Sequence, residues 1–309
     1  MSPLAVATVA PHELLPALRL VFGRLADGER RAESCRDAMS GHRGESAGVF
    51  VARDLAGAIR GAMLVQSLPG ALGIALPPRA ETAEMADALV LTACDWLRNR
   101  GVKVCQAFGS DDELPEMAAL ERNGFRRVTR LVTLQRDLEG EEAGQAQVQT
   151  RLSFRNELPP LSRELTAVLL ATYEGSLDCP ELNGRRTADE LAASFADQPA
   201  ETAWYLAADG GDSIGAVILT AQPNSGAMEL SYLGVVPAFR GRGVGGHLLE
   251  FALSEAHRRR SRAVTASVDV RNTIALRLYG RNGFVERDSS WVFIADLQLP
   301  ASCNRSSAR

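Results

Sequence analysis

The chain has 309 residues, of which 46% are hydrophobic and 23% charged, and its formal net charge at pH 7 is -4. Because single domains usually contain about 100 to 200 residues, this length predicts two domains with the composition of a soluble globular protein. The acidic balance offers no basic excess for a nucleic-acid backbone, so we expect no nucleic-acid partner. No apolar run approaches the ~18 residues of a membrane span, so we expect no membrane partner either.

The cysteine and histidine residues carry no metal or disulfide pattern. The five cysteines are scattered and without CxxC spacing, and the four histidines show no ligand spacing. This distribution disfavours both a disulfide framework and a zinc site. The start of the chain lacks the basic region and long apolar run of a signal peptide. We therefore expect a cytoplasmic protein without metal.

Predicted elements follow the same order in each half of the chain. In the first half, alternation and β-branched content predict strands, then comes an amphipathic helix and a further strand. These elements cover residues 48–53, 59–66, 72–76, 81–100 and 102–108. In the second half the corresponding strands, helix and strand cover residues 203–208, 213–220, 228–236, 243–260 and 263–268.

An internal repeat supports this pairing. Asn123-Gly-Phe near the end of the first half recurs as Asn282-Gly-Phe near the end of the second. The polar stretch 139–147 lacks periodic apolar residues and predicts a linker. The sequence therefore predicts an α+β (α/β mixed sheet) fold occurring twice, with domains at 1–138 and 148–300 and a tail at 301–309.

A glycine-rich turn joins the predicted strand 228–236 to the predicted helix 243–260. The turn reads Pro237-Ala-Phe-Arg-Gly-Arg-Gly-Val-Gly-Gly246. Free N–H groups and the helix dipole stabilise a phosphate at such a helix start, and glycines let the backbone approach it. The same glycines also match the G-x-G-x-x-G pattern of dinucleotide-binding proteins, and they are equally compatible with a turn that binds no ligand. A P-loop is excluded because no Gly-Lys-Ser/Thr follows.

Two segments resemble one enzyme family. The stretch Leu233-Gly-Val-Val-Pro-Ala-Phe-Arg-Gly-Arg-Gly-Val-Gly245 resembles the acetyl-CoA signature of the GNAT N-acetyltransferase superfamily. The stretch Asn272-Thr-Ile-Ala-Leu-Arg-Leu-Tyr-Gly-Arg-Asn-Gly-Phe284 is similar to the family's helix-to-strand segment that follows. The resemblance covers about residues 151–297. It implies acetyl-CoA as co-substrate and a sheet whose strand ending near Val235 splays from the strand 263–268, with pantetheine in the gap.

The resemblance also implies which residues bind the cofactor. The backbone around Gly234 would pair with pantetheine, the turn from Arg240 would hold the pyrophosphate, and Asn272 would lie beside the cofactor arm. The residues implied are Leu233, Gly234, Val235, Arg240, Gly241, Arg242, Gly243, Val244, Gly245 and Asn272.

Two residues are candidates for acid–base catalysis. Tyr279 would give a proton to the departing thiolate, or it is a helix tyrosine that only packs. Glu229 is an acid in an otherwise apolar strand, and period-two alternation places Glu229, Ser231, Leu233 and Val235 on one face. Deprotonating a lysine-like amine at pH 7 costs ~4.6 kcal/mol and an α-amine about 1.4 kcal/mol, so only the first acceptor requires a base. The alternative for Glu229 is a solvent-facing position.

The acceptor region by family analogy is 172–186. Its polar residues Tyr173, Asp178, Glu181 and Arg185 are candidates to contact a small molecule or a peptide terminus. The alternative is a loop that only leads into a helix, and Thr187-x-x-Glu190 has the pattern of a capping box.

The first half lacks the glycine turn. At the corresponding place stands Pro77-Pro-Arg-Ala-Glu-Thr-Ala-Glu84, without glycine and with two glutamates that would repel phosphate, and Leu120 replaces the tyrosine. We predict a degenerate first domain that kept the fold and lost the pyrophosphate site. A tandem of one degenerate and one intact unit resembles the architecture of the mycothiol synthases, and only that architecture is carried over.

The main interpretation is an N-acetyltransferase that moves an acetyl group from acetyl-CoA to an amine of a small molecule or peptide, as a monomer or homodimer. A non-catalytic acyl-CoA-binding or sensing protein is the alternative. A nicotinamide-dependent oxidoreductase is disfavoured, because Pro237 and Arg240 lie inside the turn and the repeated βαβ units of a dinucleotide fold are missing.

Overall fold

The computed structural model describes residues 5–25, 27–39, 46–138, 151–157, 162–196, 202–222 and 225–298. The predicted linker 139–147 and tail 301–309 lie outside these residues. The chain forms two compact units, one made of Met1–Val128 with Ser290–Arg309 and the other of Thr129–Ser289. Among the described residues, no helix has both the length and the apolar character that a membrane crossing requires.

The first unit alternates sheet and helix along the chain. Its elements are β1 (Ala5–Thr8), α1 (Leu14–Phe22), α2 (Gly28–Met39), β2 (Ala47–Arg53), β3 (Ile59–Leu68), β4 (Leu72–Ala75), β5 (Arg79–Ala80), α3 (Ala83–Arg98), β6 (Val104–Gly109), α4 (Leu114–Arg122) and the start of β7 (Arg126–Asp137).

The second unit repeats this order. Its elements are the rest of β7, then β8 (Ser153–Glu157), α5 (Arg163–Tyr173), α6 (Ala188–Ala196), β9 (Thr202–Asp209), β10 (Asp212–Gln222), β11 (Ala227–Val235), α7 (Val244–Arg258), β12 (Ala263–Asp269), α8 (Thr273–Arg281) and the start of β13 (Val285–Asp296).

The sheet of the first unit is antiparallel from β1 through β4. Strand β4 runs parallel to β6, and β6 pairs on its other side with Trp291–Asp296 of β13. Helix α3 packs on one face of this sheet, where Phe50, Leu89 and Phe293 are buried in one apolar cluster. Helix α1 covers the other face, around Leu18 and Val51.

The sheet of the second unit has the same plan. Strands β8 to β11 are antiparallel, β11 is parallel to β12, and β12 pairs with Leu131–Asp137 of β7. Leu248 of α7 packs on one face with Val217. Leu169 of α5 packs on the other face with Trp204.

The predicted helices and strands are confirmed to within about three residues at their ends. The helix predicted at 81–100 is α3, and that predicted at 243–260 is α7. By their contacts, residues 129–137 group with the second unit and residues 290–298 with the first. The backbone hydrogen bonds of each strand decide its unit, and their partners are far away in sequence.

Candidate active site

A cleft of about 280 Å³ opens where β11 and β12 separate. The two parallel strands pair only at Met228 with Val264 and at Glu229 with Thr265. Beyond these pairs β11 continues beside β10, as far as Val235 opposite Gly215. The predicted splaying of the two strands is therefore confirmed, and it leaves one edge of β11 without a strand partner.

The free edge of β11 presents backbone polar groups to the cleft. Val236 N donates to Ile214 O across 2.9 Å, so this amide points toward β10. Since successive residues of a strand point their polar groups to opposite sides, those of Leu233 and Val235 point into the gap. The carbonyl of Val235 accepts from Arg240 Nε at 2.9 Å. Both polar groups of Leu233 and the N–H of Val235 are left to pair with a pantetheine-like chain.

Gly234 serves close packing beneath this edge. A Cβ at Gly234 would lie 2.7 Å from the ring of Tyr232 and 2.8 Å from Thr172 Cβ. The hydroxyls of Thr172 and Tyr232 are 2.5 Å apart, which ties α5 to β11. The glycine therefore lets α5 approach the strand that lines the cleft.

The glycine turn adopts a backbone that favours glycine. Gly241 has φ 74° and Gly243, which caps α7, has φ 82°. These values lie in the left-handed region, which side-chain-bearing residues rarely adopt. A Cβ at either position would meet nothing within 4 Å, so the turn borders open space.

The amides of the turn form an anion cradle. Of those from Gly241 to His247, only Gly246 and His247 donate to another described residue, both to Gly243 O. The remaining amides and the helix dipole at Val244 fit a pyrophosphate, while the Val244 side chain lies in the apolar core. Gly245 lines the cleft itself.

The side chain of Arg240 departs from the expected phosphate contact. Its guanidinium donates to three backbone carbonyls, at 2.9 Å to Val235 O, 2.7 Å to Glu174 O and 2.9 Å to Thr172 O. Arg240 thus joins the end of α5 to the start of the turn. Arg242 is exposed, with its guanidinium 5.2 Å from the ring of Phe239, and it is the side chain placed to meet a phosphate.

Tyr279 of α8 and Asn272, the residue just before this helix, both line the cleft. Asn272 caps the helix, because its Oδ1 accepts from Ala275 N at 3.2 Å. Tyr279 is 7% exposed, packs edge-on against Phe284 and also lines the cleft. Burial, together with the nearby Asp178 charge, raises the pKa of the Tyr279 hydroxyl. The hydroxyl therefore stays protonated at neutral pH, and a thiolate, which is the weaker base, takes its proton only where the site stabilises the tyrosinate that results.

Glu229 does not line the cleft. A β-bulge at Ser231 shifts the register, since Tyr232 lies opposite Ile218 but Leu230 lies opposite Leu219. One extra residue reverses the side-chain alternation, so Glu229 faces the opposite side of the sheet from Leu233. The expectation of a shared face is therefore wrong.

The loop after α5 forms another wall of the cleft, through Gly175, Ser176, Leu177 and Asp178. Tyr173 stacks on Tyr232 with ring centroids 5.8 Å apart. Glu181 is bound to Arg271 at 2.6 and 2.8 Å, and Arg185 does not line the cleft. Of the four polar loop candidates, Asp178 is the one that lines it. The predicted capping box at Thr187 is confirmed by reciprocal bonds with Glu190.

A buried carboxylate that the sequence interpretation did not assign to the site holds this loop. Asp269 has no exposed surface and accepts from Thr129 Oγ1 at 2.6 Å, Cys179 N at 3.1 Å and Arg271. Burial alone would raise the pKa of Asp269, but the bonds from Arg271 and Thr129 outweigh it and lower the pKa to about 2. The loop is therefore tied to the end of β12 by a permanent negative charge.

Comparisons with known proteins support this description of the second unit. Residues 169–284 match the model of the Acetyltransferase (GNAT) family. A search of curated proteins gave no sequence match. Among the described residues, no three His, Cys, Asp or Glu side chains are grouped to hold a metal ion.

Solved structures of similar fold cover nearly the whole chain. A GCN5-related N-acetyltransferase from Sphaerobacter thermophilus superposes with a TM-score of 0.63 and 17% identity, covering 96% of both chains. A tandem GNAT protein from the clavulanic acid biosynthesis pathway gives a TM-score of 0.57 and 15% identity, covering 96% of this chain and all of that one. The fold is thus a tandem of two GNAT-like units. The match of residues 169–284 to the GNAT family model supports an acyl-transfer function.

The first unit has lost the features of the cleft. Strands β4 and β6 stay paired over four residues, from Leu72 with Val104 to Ala75 with Ala107. Where the second unit has its glycine turn, the first has Arg79, which is 9% exposed and paired with two glutamates. At the start of α3, Thr82 Oγ1 accepts from Met85 N and so occupies a helix-end donor. These features agree with a degenerate first unit.

Proposed function

We propose that the second unit is an acetyl-CoA-dependent N-acetyltransferase whose acceptor is an amine of a small molecule or peptide. The observation that carries the proposal is the cleft itself, which joins the free edge of β11, the glycine turn and the hydroxyl of Tyr279. Each part fits one portion of an acyl-CoA. The first unit, with its paired strands and its Arg79 ion pairs, supports one acyl-CoA site per chain.

Different residues of the cleft bind different portions of the acyl-CoA. The amides from Gly241 to Gly245 hold the pyrophosphate, and Arg242 adds a positive charge. Leu233 and the N–H of Val235 pair with pantetheine amides, as an additional strand would. When bound, acetyl-CoA supplies a thioester whose carbonyl carbon an amine attacks. Holding both reactants in one cleft converts a bimolecular step into an effectively unimolecular one.

Tyr279 supplies the proton for the leaving thiolate. Its raised pKa keeps the hydroxyl protonated at neutral pH, and its place in the lining of the cleft supports a role as donor to the sulfur of an acyl-CoA. A thiol has an ordinary pKa of about 8.5, so the developing thiolate needs the short, desolvated path that the cleft offers in order to take this proton.

Calorimetric titration of acetyl-CoA into the protein and into a Gly243→Glu variant tests the proposal. The variant places a negative side chain at a left-handed position in the anion cradle. Gly210→Glu is the matched control, because Gly210 also has positive φ and open space but lies in the β9–β10 turn. We expect one site per chain, lost in Gly243→Glu and kept in Gly210→Glu.

Thiol release in the presence of amines completes the test. Binding of acetyl-CoA without release of its thiol in the presence of any amine would favour the alternative, an acyl-CoA-binding or sensing protein. Two binding sites would contradict the degenerate first unit. No binding of acetyl-CoA would end the acetyltransferase proposal.

A further inference from the structure

The walls of the cleft carry few charged side chains. Among the described residues that line it, Asp178 is the one carboxylate and Arg240 the one cation. The guanidinium of Arg240 is engaged with three carbonyls, as described above. The side chain free to meet a charged acceptor is therefore negative.

The backbone around Asp178 is held in one conformation. Asp178 Oδ1 accepts from Asp269 N at 2.9 Å, while the next residue, Cys179, donates its N–H to Asp269 Oδ2. Cys179 has φ 45° and ψ 60°, a left-handed conformation that costs a non-glycine residue about 1 kcal/mol or more. Asp269 thus fixes the position of the Asp178 carboxylate, whose second oxygen has no partner among the described residues.

No described cation neutralises this carboxylate. The nearest arginine in the network, Arg271, binds Asp269 at 2.7 Å and Glu181 at 2.6 Å, so its charge is already matched. Asp178 keeps accessible surface, but desolvation by the surrounding cleft wall raises its pKa above the ordinary value, and a carboxylate with a raised pKa is a stronger base. Asp178 is also close enough to Tyr279 for its charge to act on the tyrosine hydroxyl.

We propose that Asp178 binds the ammonium group of the acceptor in the cleft and takes its proton, so that the substrates are cationic primary amines without a neighbouring carboxylate. This inference rests on the proposed acetyltransferase function. Asp178 accepts one proton from R–NH3+, and the resulting R–NH2 attacks the thioester carbonyl carbon. The new C–N bond forms as the C–S bond breaks, the thiolate takes a proton from Tyr279, and the acetylated nitrogen gives up its surplus proton to solvent. Solvent then returns a proton to Tyr279 and takes one from Asp178, so one proton is released overall.

Exclusion of carboxylated amines follows from the same geometry. An α-carboxylate beside the reacting nitrogen would lie against Asp178, with Asp269 behind it, in a cleft whose one arginine is occupied. Like charges a few ångströms apart repel, and the described wall offers no unengaged cation to offset this repulsion.

Matched pairs of amines test the inference, each an amine and its α-carboxylated counterpart with no second amine: tyramine and tyrosine, phenethylamine and phenylalanine, ethanolamine and serine. Thiol release from acetyl-CoA gives kcat/KM for each, in the wild type, Asp178→Asn and Glu229→Gln. Asparagine keeps the oxygen that accepts from Asp269 N and removes only the charge. Acetyl-CoA titration and thermal melting of each variant show whether the fold and the cofactor site are intact.

We expect the wild type to prefer the uncarboxylated amine at least tenfold in a pair that it acetylates. Asp178→Asn should lower kcat/KM for that amine by about 10² to 10⁴, the usual range for a lost base, while acetyl-CoA affinity is unchanged. In Glu229→Gln, kcat/KM for the same amine should fall far less. Equal use of both members of the pairs, or a larger loss in Glu229→Gln than in Asp178→Asn, would overturn the inference and leave the acetyltransferase function standing. Failure of the wild type to bind acetyl-CoA or acetylate any amine would overturn the proposed function and the inference with it.

Discussion

Replacing Arg240 by lysine keeps a positive charge beside the glycine turn and removes the planar fork that reaches three carbonyls. In the structure these bonds join Val235, Thr172 and Glu174 to the start of the turn. A lysine ammonium is a single point donor and cannot reach three separate oxygens in this arrangement. The substitution therefore separates the charge of Arg240 from its role in holding the turn.

The expected magnitude follows from the bonds lost. A hydrogen bond to a charged group contributes about 1.5 to 3 kcal/mol when buried, but these carbonyls are partly exposed and water replaces part of each bond. We assign about 0.7 kcal/mol to each of two lost bonds, or about 1.4 kcal/mol in total, which is tenfold in the dissociation constant of acetyl-CoA. The loss arises because the cradle is no longer preorganised before the cofactor binds.

Calorimetric titration of acetyl-CoA at fixed ionic strength measures this effect, with Arg242→Lys as the matched control. Arg242 keeps its charge as lysine and has no carbonyl partner, so we expect its variant to bind within about twofold of the wild type. If Arg240→Lys binds like the wild type while Arg240→Met loses affinity, charge alone is what Arg240 supplies and the reasoning is refuted.

Three further predictions concern catalysis and stability. Tyr279→Phe should lower the rate of thiol release by about 10² at saturating substrates, with acetyl-CoA affinity unchanged by calorimetry, because only the proton donor is removed. Gly234→Ala should lower the free energy of unfolding, measured by chemical denaturation, by about 1 to 3 kcal/mol, since its methyl would lie 2.7 Å from the nearest side-chain atom. Gly246→Ala is the control, because its methyl would meet open space and should not lower the free energy of unfolding. Burial would raise the pKa of Glu255, but hydrogen bonds from Arg258 and two further side chains outweigh it and lower the pKa to about 2. Because the pKa is lowered in the folded state, the ionised Glu255 stabilises the fold fully above its ordinary pKa near 4.5, and this stabilisation is lost as the pH falls toward 2. Glu255→Gln should therefore lower the free energy of unfolding by about 2 kcal/mol at pH 7, a figure discounted for the exposed Arg258. At pH 2 the same substitution should change it by almost nothing. Denaturation curves at both pH values check it, and a cost that did not change with pH would contradict it.

The elements of the fold could be predicted from the sequence because their signals are local. The helix patterns at α3 and α7 and the strand alternation from β2 to β4 and from β9 to β11 depend on neighbouring residues alone. Strand pairing depends on hydrogen bonds between distant segments. For this reason the pairing of β7 with β12 and of β13 with β6 could not be predicted from the sequence.

The candidate site divides in the same way. The turn from Gly241 to Gly245 could be predicted because its signal is local. The glycines that adopt positive φ, Gly241 and Gly243, are next to the start of the helix in the sequence. The role of Arg240 was missed, since its partners Thr172 and Glu174 lie 68 and 66 residues away.

The sequence by itself determined a repeated α+β chain with one glycine turn, the helix tyrosine Tyr279 and one degenerate copy, because periodicity, glycine content and motif spacing act within a few residues. Only the tertiary structure decided which carboxylate faces the cleft. One extra residue at Ser231 reverses the alternation of β11 and turns Glu229 to the other face. Hydrogen bonds from Asp269 to a loop about 90 residues earlier bring Asp178 to the cleft wall. A bulge and a long-range hydrogen bond are set by the pairing of whole strands and loops, and no local pattern encodes them.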